Sequence, residues 1–103
     1  MSTTENRVQK RVQCRLDVEF QAGEEWRPGT TRNLSLGGAF VEAPVKPLLG
    51  TQIHLRFRVP TQKELVEIGG RVRWLDDSGF GVQFDGLRAR DVWAMGKYLN
   101  SFE

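Results

Sequence analysis

In the stretch VQCRLDVEF, residues Val12 to Phe20, the apolar Val12, Cys14, Leu16, Val18 and Phe20 alternate with Gln13, Arg15, Asp17 and Glu19. A repeat of two sends one set to one side of an extended chain and the other set to the opposite side. The stretch is therefore a strand with one dry face and one wet face. Cys14 belongs to the dry set and reads as a small core residue. Working outward, AGEE (22–25) is a turn and WRPGTTRNLS (26–35) a second extended segment, whose Pro28 suits an edge or a bulge. AFVEA (39–43) is a short third strand, ended by PVKPLLG (44–50). Ile53, Leu55, Phe57 and Val59 alternate with Gln52, His54, Arg56 and Arg58 in a fourth, stopped by Pro60. Val66, Ile68, Val72 and Trp74 share one face of a fifth, with Gly69 and Gly70 marking a bend or bulge. Phe80, Val82 and Phe84 alternate in a sixth.

The period then changes. Val92, Met95, Leu99 and Phe102 recur three and four apart, which predicts a helix with an apolar stripe, completed by Trp93 and Tyr98. Asp85 or Asp91 is expected to cap or favour its first turn. Six short strands joined by turns point to an antiparallel barrel or sandwich. The closing helix must bury its stripe, and covering an open end would do so.

Composition narrows the function classes. A chain of 103 residues with a net charge of +2 is the size of one domain and only mildly basic, well short of a dedicated nucleic-acid binder. Arg56, Arg58, Arg71 and Arg73 form a possible basic stripe for single strands, but Trp74, in phase with Val72, is expected in the core and not as a stacking platform. One cysteine and one histidine allow no disulfide and suggest no metal site. No run approaches the roughly 20 apolar residues of a membrane span, and the first residues lack a signal-peptide core. A cytoplasmic protein without membrane insertion is expected. His54 lies in the wet phase of the fourth strand with no nucleophile beside it in the pattern, so no catalytic role is expected. What remains is binding.

Two short motifs bear on that. RVQKR holds Arg7 and Arg11 four apart, and NLSLGG holds Asn33, Ser35 and Gly38 directly after a strand. A basic run alone reads as a solvated tail, and paired glycines alone read as a turn. Together, RxxxR followed at a strand's distance by (D/N)xSxxG resembles the bipartite signature of the PilZ domain family. RVQCRLDVEF resembles that family's first strand, and GGRVRWLDDSGFGVQF its last two. The resemblance spans nearly the whole chain. It implies a six-stranded antiparallel β-barrel with a C-terminal α-helix in residues 12–103, preceded by a flexible arm in residues 1–11 that carries RxxxR.

The resemblance also implies a bacterial receptor for the second messenger cyclic di-GMP, bound by Arg7, Arg11, Asn33, Ser35 and Gly38, with no cofactor and no metal. The chemistry suits the ligand. A guanidinium grips phosphate or guanine O6/N7 bidentately and stacks on a purine. Asn33 can accept from guanine, although many family members carry Asp there and so offer two acceptor oxygens. Ser35 can bond a base or phosphate, and Gly38 would let a base lie against the backbone. On this reading the arm folds over the nucleotide, and the remodelled surface signals to a partner protein in trans. The alternative is a PilZ-type adaptor that works through protein contacts with weak or no ligand binding.

Overall fold

The computed structural model describes residues 11–60 and 65–101. Its strands are β1 (Val12–Gln13), β2 (Asp17–Gln21), β3 (Trp26–Leu34), β4 (Gly38–Glu42), β5 (Gln52–Arg58), β6 (Leu65–Leu75) and β7 (Gly79–Phe84), followed by helix α1 (Ala89–Asn100). All pairings are antiparallel. The order β3-β2-β5-β6-β7-β4 returns to β3 through the β3–β4 ladder, closing a six-stranded barrel, and β1 adds a short pairing with β3. Closure removes the exposed sheet edges that an open sheet would present.

The predicted first strand is present but interrupted between β1 and β2. Gln13 faces Asn33 while Asp17 faces Thr30, so four steps along one strand match three along the other. Thr31, 1% exposed, occupies the gap. Its hydroxyl accepts from the Leu16 N–H at 2.8 Å and donates to the Cys14 carbonyl at 2.7 Å. These are backbone groups that the broken ladder would otherwise leave bare. Alternation survives the break: Val12, Cys14, Leu16, Val18 and Phe20 are all buried.

The inward set from β2 to β7 builds the core, with Phe20, Ile53, Leu55, Val72, Phe80 and Val82 at 1% exposure or less. Phe20 and Phe80 meet edge to face across the barrel with ring centroids 4.9 Å apart. Pro28 sits in the half of β3 that pairs with Glu19 of β2, two residues before the β4 ladder begins at Thr30. Its missing N–H therefore disturbs no ladder on the other side, as expected for an edge-like position.

Two predictions about side-chain direction are corrected. The irregularity in β6 falls between Val72 and Trp74, not at Gly69 and Gly70. Val72 faces Val82 and Trp74 faces Gly81, so Arg73 is an extra residue that reverses the phase. Trp74 is thereby carried out of the core and is 58% exposed.

In α1 the stripe is rotated. Asp91, Ala94, Met95, Tyr98 and Leu99 are buried, while Val92 and Trp93 face solvent; Phe102 lies outside the described residues. Met95, Tyr98 and Leu99 join the core cluster and Tyr98 meets Cys14, so this side packs and the Val92–Trp93 side does not. Burial, then the neighbouring Cys14, pushes the Tyr98 hydroxyl up to about 12, and burial also raises the Cys14 thiol. Asp91 sits in the first turn, paired at 2.8 Å with the guanidinium of Arg88, the N-cap residue, which itself makes no side-chain capping bond. Asp85 instead accepts from Gln52 at 2.6 Å.

Candidate functional site

The motif residues divide into two groups. Ser35 and Gly38 form the turn from β3 into β4. The Ser35 N–H donates to the Gly38 carbonyl at 2.8 Å. The Ser35 hydroxyl accepts from the N–H groups of Gly37 and Gly38 at 3.1 and 3.2 Å, and its own O–H reaches the Gly38 carbonyl at 3.3 Å. This is the local side-chain-to-backbone bonding that serine favours in turns. Ser35 is 1% exposed, so its hydroxyl is spent on the loop and faces no solvent.

Gly38 is buried as well. A Cβ there would lie 2.2 Å from the Val82 carbonyl oxygen, which no side chain tolerates. The expected reason for glycine at 38, room for a base, gives way to another: β4 and β7 approach too closely for any side chain. Gly37 is the half-exposed member of the pair, and its carbonyl accepts from the Phe84 N–H at 2.9 Å.

Arg11 and Asn33 form the second group. The Arg11 Nη1 donates to the Asn33 Oδ1, tying the root of the N-terminal segment to the outer face of β3. Arg7 lies outside the described residues. Asn33 reaches the surface because β3 carries a bulge of its own. Thr31 faces Val41 and Asn33 faces Phe40, leaving Arg32 as the extra residue. The bulge turns Arg32, Asn33 and Phe40 outward beside buried Thr31 and Leu34.

Around this pair lies a shelf that the alternation pattern hid. Trp74, swung outward by the β6 bulge, covers Gly81, where a Cβ would fall 2.4 Å from the indole Cε3. Trp74 in this position therefore requires glycine at 81. One recess of about 440 Å³ is lined by Arg11, Gly37, Arg73, Trp74, Val82 and Gln83. An adjoining one of about 260 Å³ is lined by Arg11, Asn33, Ala39, Phe40, Trp74 and Gly81. Arg11 and Trp74 stand between the two.

The shelf offers cations, a flat aromatic surface and amide groups. Arg73 is steadied by the Gln83 side chain at 2.8 Å. Arg32 stacks on Phe40 with its guanidinium carbon 3.9 Å from the ring centroid. It is held there by Asp76 at 3.3 Å and Glu42 at 3.6 Å. The Asp76 carboxyl is itself held below the usual carboxylate range, chiefly by the Ser78 N–H. An anionic ligand with planar bases would find forks, stacking surface and donors within one neighbourhood.

The larger groove of about 800 Å³ lies elsewhere and suits a dianion poorly. Asp17, Glu19 and Glu42 line it, and its Arg56 is paired with Glu19 at 2.7 Å. Arg56 also covers the Trp26 ring at 3.9 Å, and Arg71 donates to the Gly50 carbonyl, so the proposed basic stripe is dispersed into local contacts. Among the described residues no group of three His, Cys, Asp or Glu side chains could hold a metal ion, and no helix is long and apolar enough to cross a membrane.

Of the sequence-predicted residues, the structure thus brings Arg11 and Asn33 together at the shelf and places Ser35 and Gly38 beneath it. Trp74, Arg73, Arg32 and Phe40 were missed. The only signal for Trp74 was Gly81, a position without a side chain in the outward phase of β7.

Comparison with known proteins agrees with the fold. A family model described as PilZ domain matches residues 5–101. No curated protein matches the sequence. Among solved structures, the PilZ domain of CeSA from a cellulose-synthesizing bacterium superposes with a TM-score of 0.70 at 18% identity, covering 91% of this chain and 99% of that one. The Bacillus subtilis inhibitor of motility MotI/DgrA superposes with a TM-score of 0.69 at 22% identity, covering 90% of this chain and 51% of that one.

Proposed function

The chain belongs to the PilZ domain family, a family of cyclic di-GMP receptors and adaptors, and from that premise we propose that it binds cyclic di-GMP on the Trp74 shelf and signals to a partner protein. The observation that carries the proposal is the contact of Arg11 with Asn33 at the junction of the two recesses. It brings one residue from each half of the bipartite motif to the same place. Arg7 and Arg11 grip the nucleotide from the arm (residues 1–11), while Asn33 accepts from a guanine edge and Trp74 offers a face for stacking. Ser35 and Gly38 act by fixing the turn on which Asn33 stands. The single barrel domain (12–103) works in the bacterial cytoplasm, without cofactor or metal, as a receptor and not an enzyme.

Electrostatics favour this assignment. The ligand is a dianion, and Arg11 and Arg73 reach the shelf with no carboxylate among the described residues that line its recesses. Ligand binding must displace Asn33 from Arg11 or share it. The energy of that exchange sets how far the arm is remodelled.

Isothermal titration with cyclic di-GMP tests the proposal. Removing a bidentate arginine contact costs about 1–3 kcal/mol, so Arg11→Ala should weaken binding about fivefold to more than a hundredfold while thermal unfolding stays unchanged. Parental affinity in Arg11→Ala would refute the clamp. One observation favours the adaptor reading instead: Ser35 has no hydroxyl valence left for a ligand, and Asn33 already has a partner. Absence of heat at millimolar nucleotide would select that reading.

A further inference from the structure

We infer that the outward face of α1 is a docking surface for an acidic amphipathic helix of a partner protein. The helix buries Asp91, Ala94, Met95, Tyr98 and Leu99 and turns its opposite side to solvent. On that side Trp93 is 59% exposed and Val92 41%. Tryptophan is the residue most enriched at binding hot spots, because its large rigid surface gains most on being covered. Helical spacing orders the face: Ala89, Trp93 and Gly96 follow turn by turn, Arg90 and Lys97 run along one flank, and Val92 lies on the other. The Lys97 ammonium sits 4.9 Å from the Trp93 ring centroid.

Gly96 adds a second observation. Glycine within a helix is unfavourable relative to alanine. A Cβ at Gly96 would meet nothing within 4 Å, so no contact among the described residues calls for glycine there. A second helix crossing beside Trp93 would use the gap, since small residues let two backbones approach.

Charge identifies the occupant. The exposed charged side chains of α1 are cations, Arg90 and Lys97, and its one acid, Asp91, is 2% exposed and paired with Arg88. A second copy would set these cations against each other, and residues 1–10 carry Arg7 and Lys10 against Glu5 alone. Like charges across an interface disfavour both. An anionic lipid surface would suit Trp93 and Lys97 but has no use for the bare backbone at Gly96. A helix with apolar residues at three- and four-residue spacing and acids along its rim matches every feature.

The location suits an output. Tyr98, on the inner side of α1, meets Cys14, which follows Arg11 by three residues and donates its N–H to the Arg32 carbonyl at 3.3 Å. The inference thus rests on the partner-signalling half of the proposed function and is independent of nucleotide affinity.

The test is an NMR titration of the full chain, without nucleotide, with an amidated synthetic peptide that has leucines at helical spacing and glutamates elsewhere. Shifts should centre on the Trp93 indole and on Gly96 and Lys97. Gly96→Leu fills open space with a better helix former, so it should keep the fold yet weaken the peptide tenfold or more. Lys97→Glu should do likewise and improve binding of a lysine-for-glutamate version. Any of four results overturns the inference: equal binding of both peptides by the parent, shifts centred elsewhere, no effect of Gly96→Leu, or binding too weak to saturate. Trp93-dependent binding to phosphatidylglycerol vesicles in preference to the peptide, or self-association through Trp93, overturns it too. Cyclic di-GMP is added afterwards. Silence at Asn33 and Trp74 would then refute the nucleotide reading and leave the docking surface standing.

Discussion

The β5–β6 ladder and the two ladders flanking β4 and β7 are built from similar alternating sequences, yet they do different work. From Gln52↔Arg71 to Arg58↔Leu65 every residue of β5 faces one residue of β6 without a slip. Its inward members Ile53, Leu55 and Phe57 are 3% exposed or less. The β3–β4 and β6–β7 ladders each carry one surplus residue, Arg32 and Arg73. Both bulges turn an aromatic surface and an arginine to the outside: Arg32 over Phe40 in one, Arg73 beside Trp74 in the other. Regular pairing makes core, and bulged pairing makes the shelf. A bulge re-aims side chains without breaking closure, which is how a stable barrel acquires a binding face.

That division predicts that damage to the regular inward set is a stability effect and nothing else. Phe20 is 1% exposed and packs edge to face on Phe80, so Phe20→Ala should lose about 3–5 kcal/mol in urea unfolding. Nucleotide affinity of the fraction still folded should match the parent. A large loss of affinity in that fraction would show that core and shelf are not separable.

Trp74→Ala is the reciprocal experiment and the next in size. Stacking a base on an aromatic side chain is worth about 1–3 kcal/mol, and an exposed residue contributes within about 0.5 kcal/mol to folding. Binding of cyclic di-GMP measured by calorimetry should therefore fall about fivefold or more while the unfolding midpoint barely moves. Unchanged binding would remove Trp74 from the site and leave the bulge without a functional reason.

The same contrast explains what could be read in advance. Strand positions with period two were legible from Val12 to Phe84 because burial imposes alternation, and the barrel closes on those positions. Arg11 and Asn33 were legible only through the bipartite motif, since nothing in a lone Asn or Arg distinguishes a shelf from ordinary surface. Trp74 was misplaced because one inserted residue inverts everything after it, and Val-Arg-Trp looks the same with or without a bulge. The helix phase failed for a related reason. The side that packs is the one that brings Met95, Tyr98 and Leu99 into the core cluster, a tertiary preference that the apolar stripe of α1 does not encode.

Ser35 tests whether the motif serine belongs to the shelf or to the turn beneath it. Its hydroxyl accepts from two backbone N–H groups. Ser35→Ala leaves these donors short of a partner, a loss of about 1–3 kcal/mol for buried groups. Unfolding should register it, with affinity reduced only through a loosened turn and recovered in part by nucleotide saturation. A variant of full stability that cannot bind would move Ser35 back among the direct contacts.

The smallest expected effect concerns the third irregularity, the gap between β1 and β2, which carries no site. There Thr31 replaces the missing ladder bonds, and Cys14 and Tyr98 close the interior against water. Burial raises both groups, the Tyr98 hydroxyl to about 12. A group whose acid form is favoured in the folded state adds stability below its unfolded value and loses that contribution as the pH climbs to the folded one. For Tyr98 the window runs from about 10, where an unfolded tyrosine ionises, to about 12. Stability should therefore be flat through neutral pH and decline in alkali, and Tyr98→Phe should make that decline shallower. Nucleotide binding by the folded protein should follow neither ionisation, because Cys14 and Tyr98 are buried and neither lines the two recesses. An alkaline decline identical in Tyr98→Phe and parent would assign the loss to another group and separate this seam from the helix that packs on it.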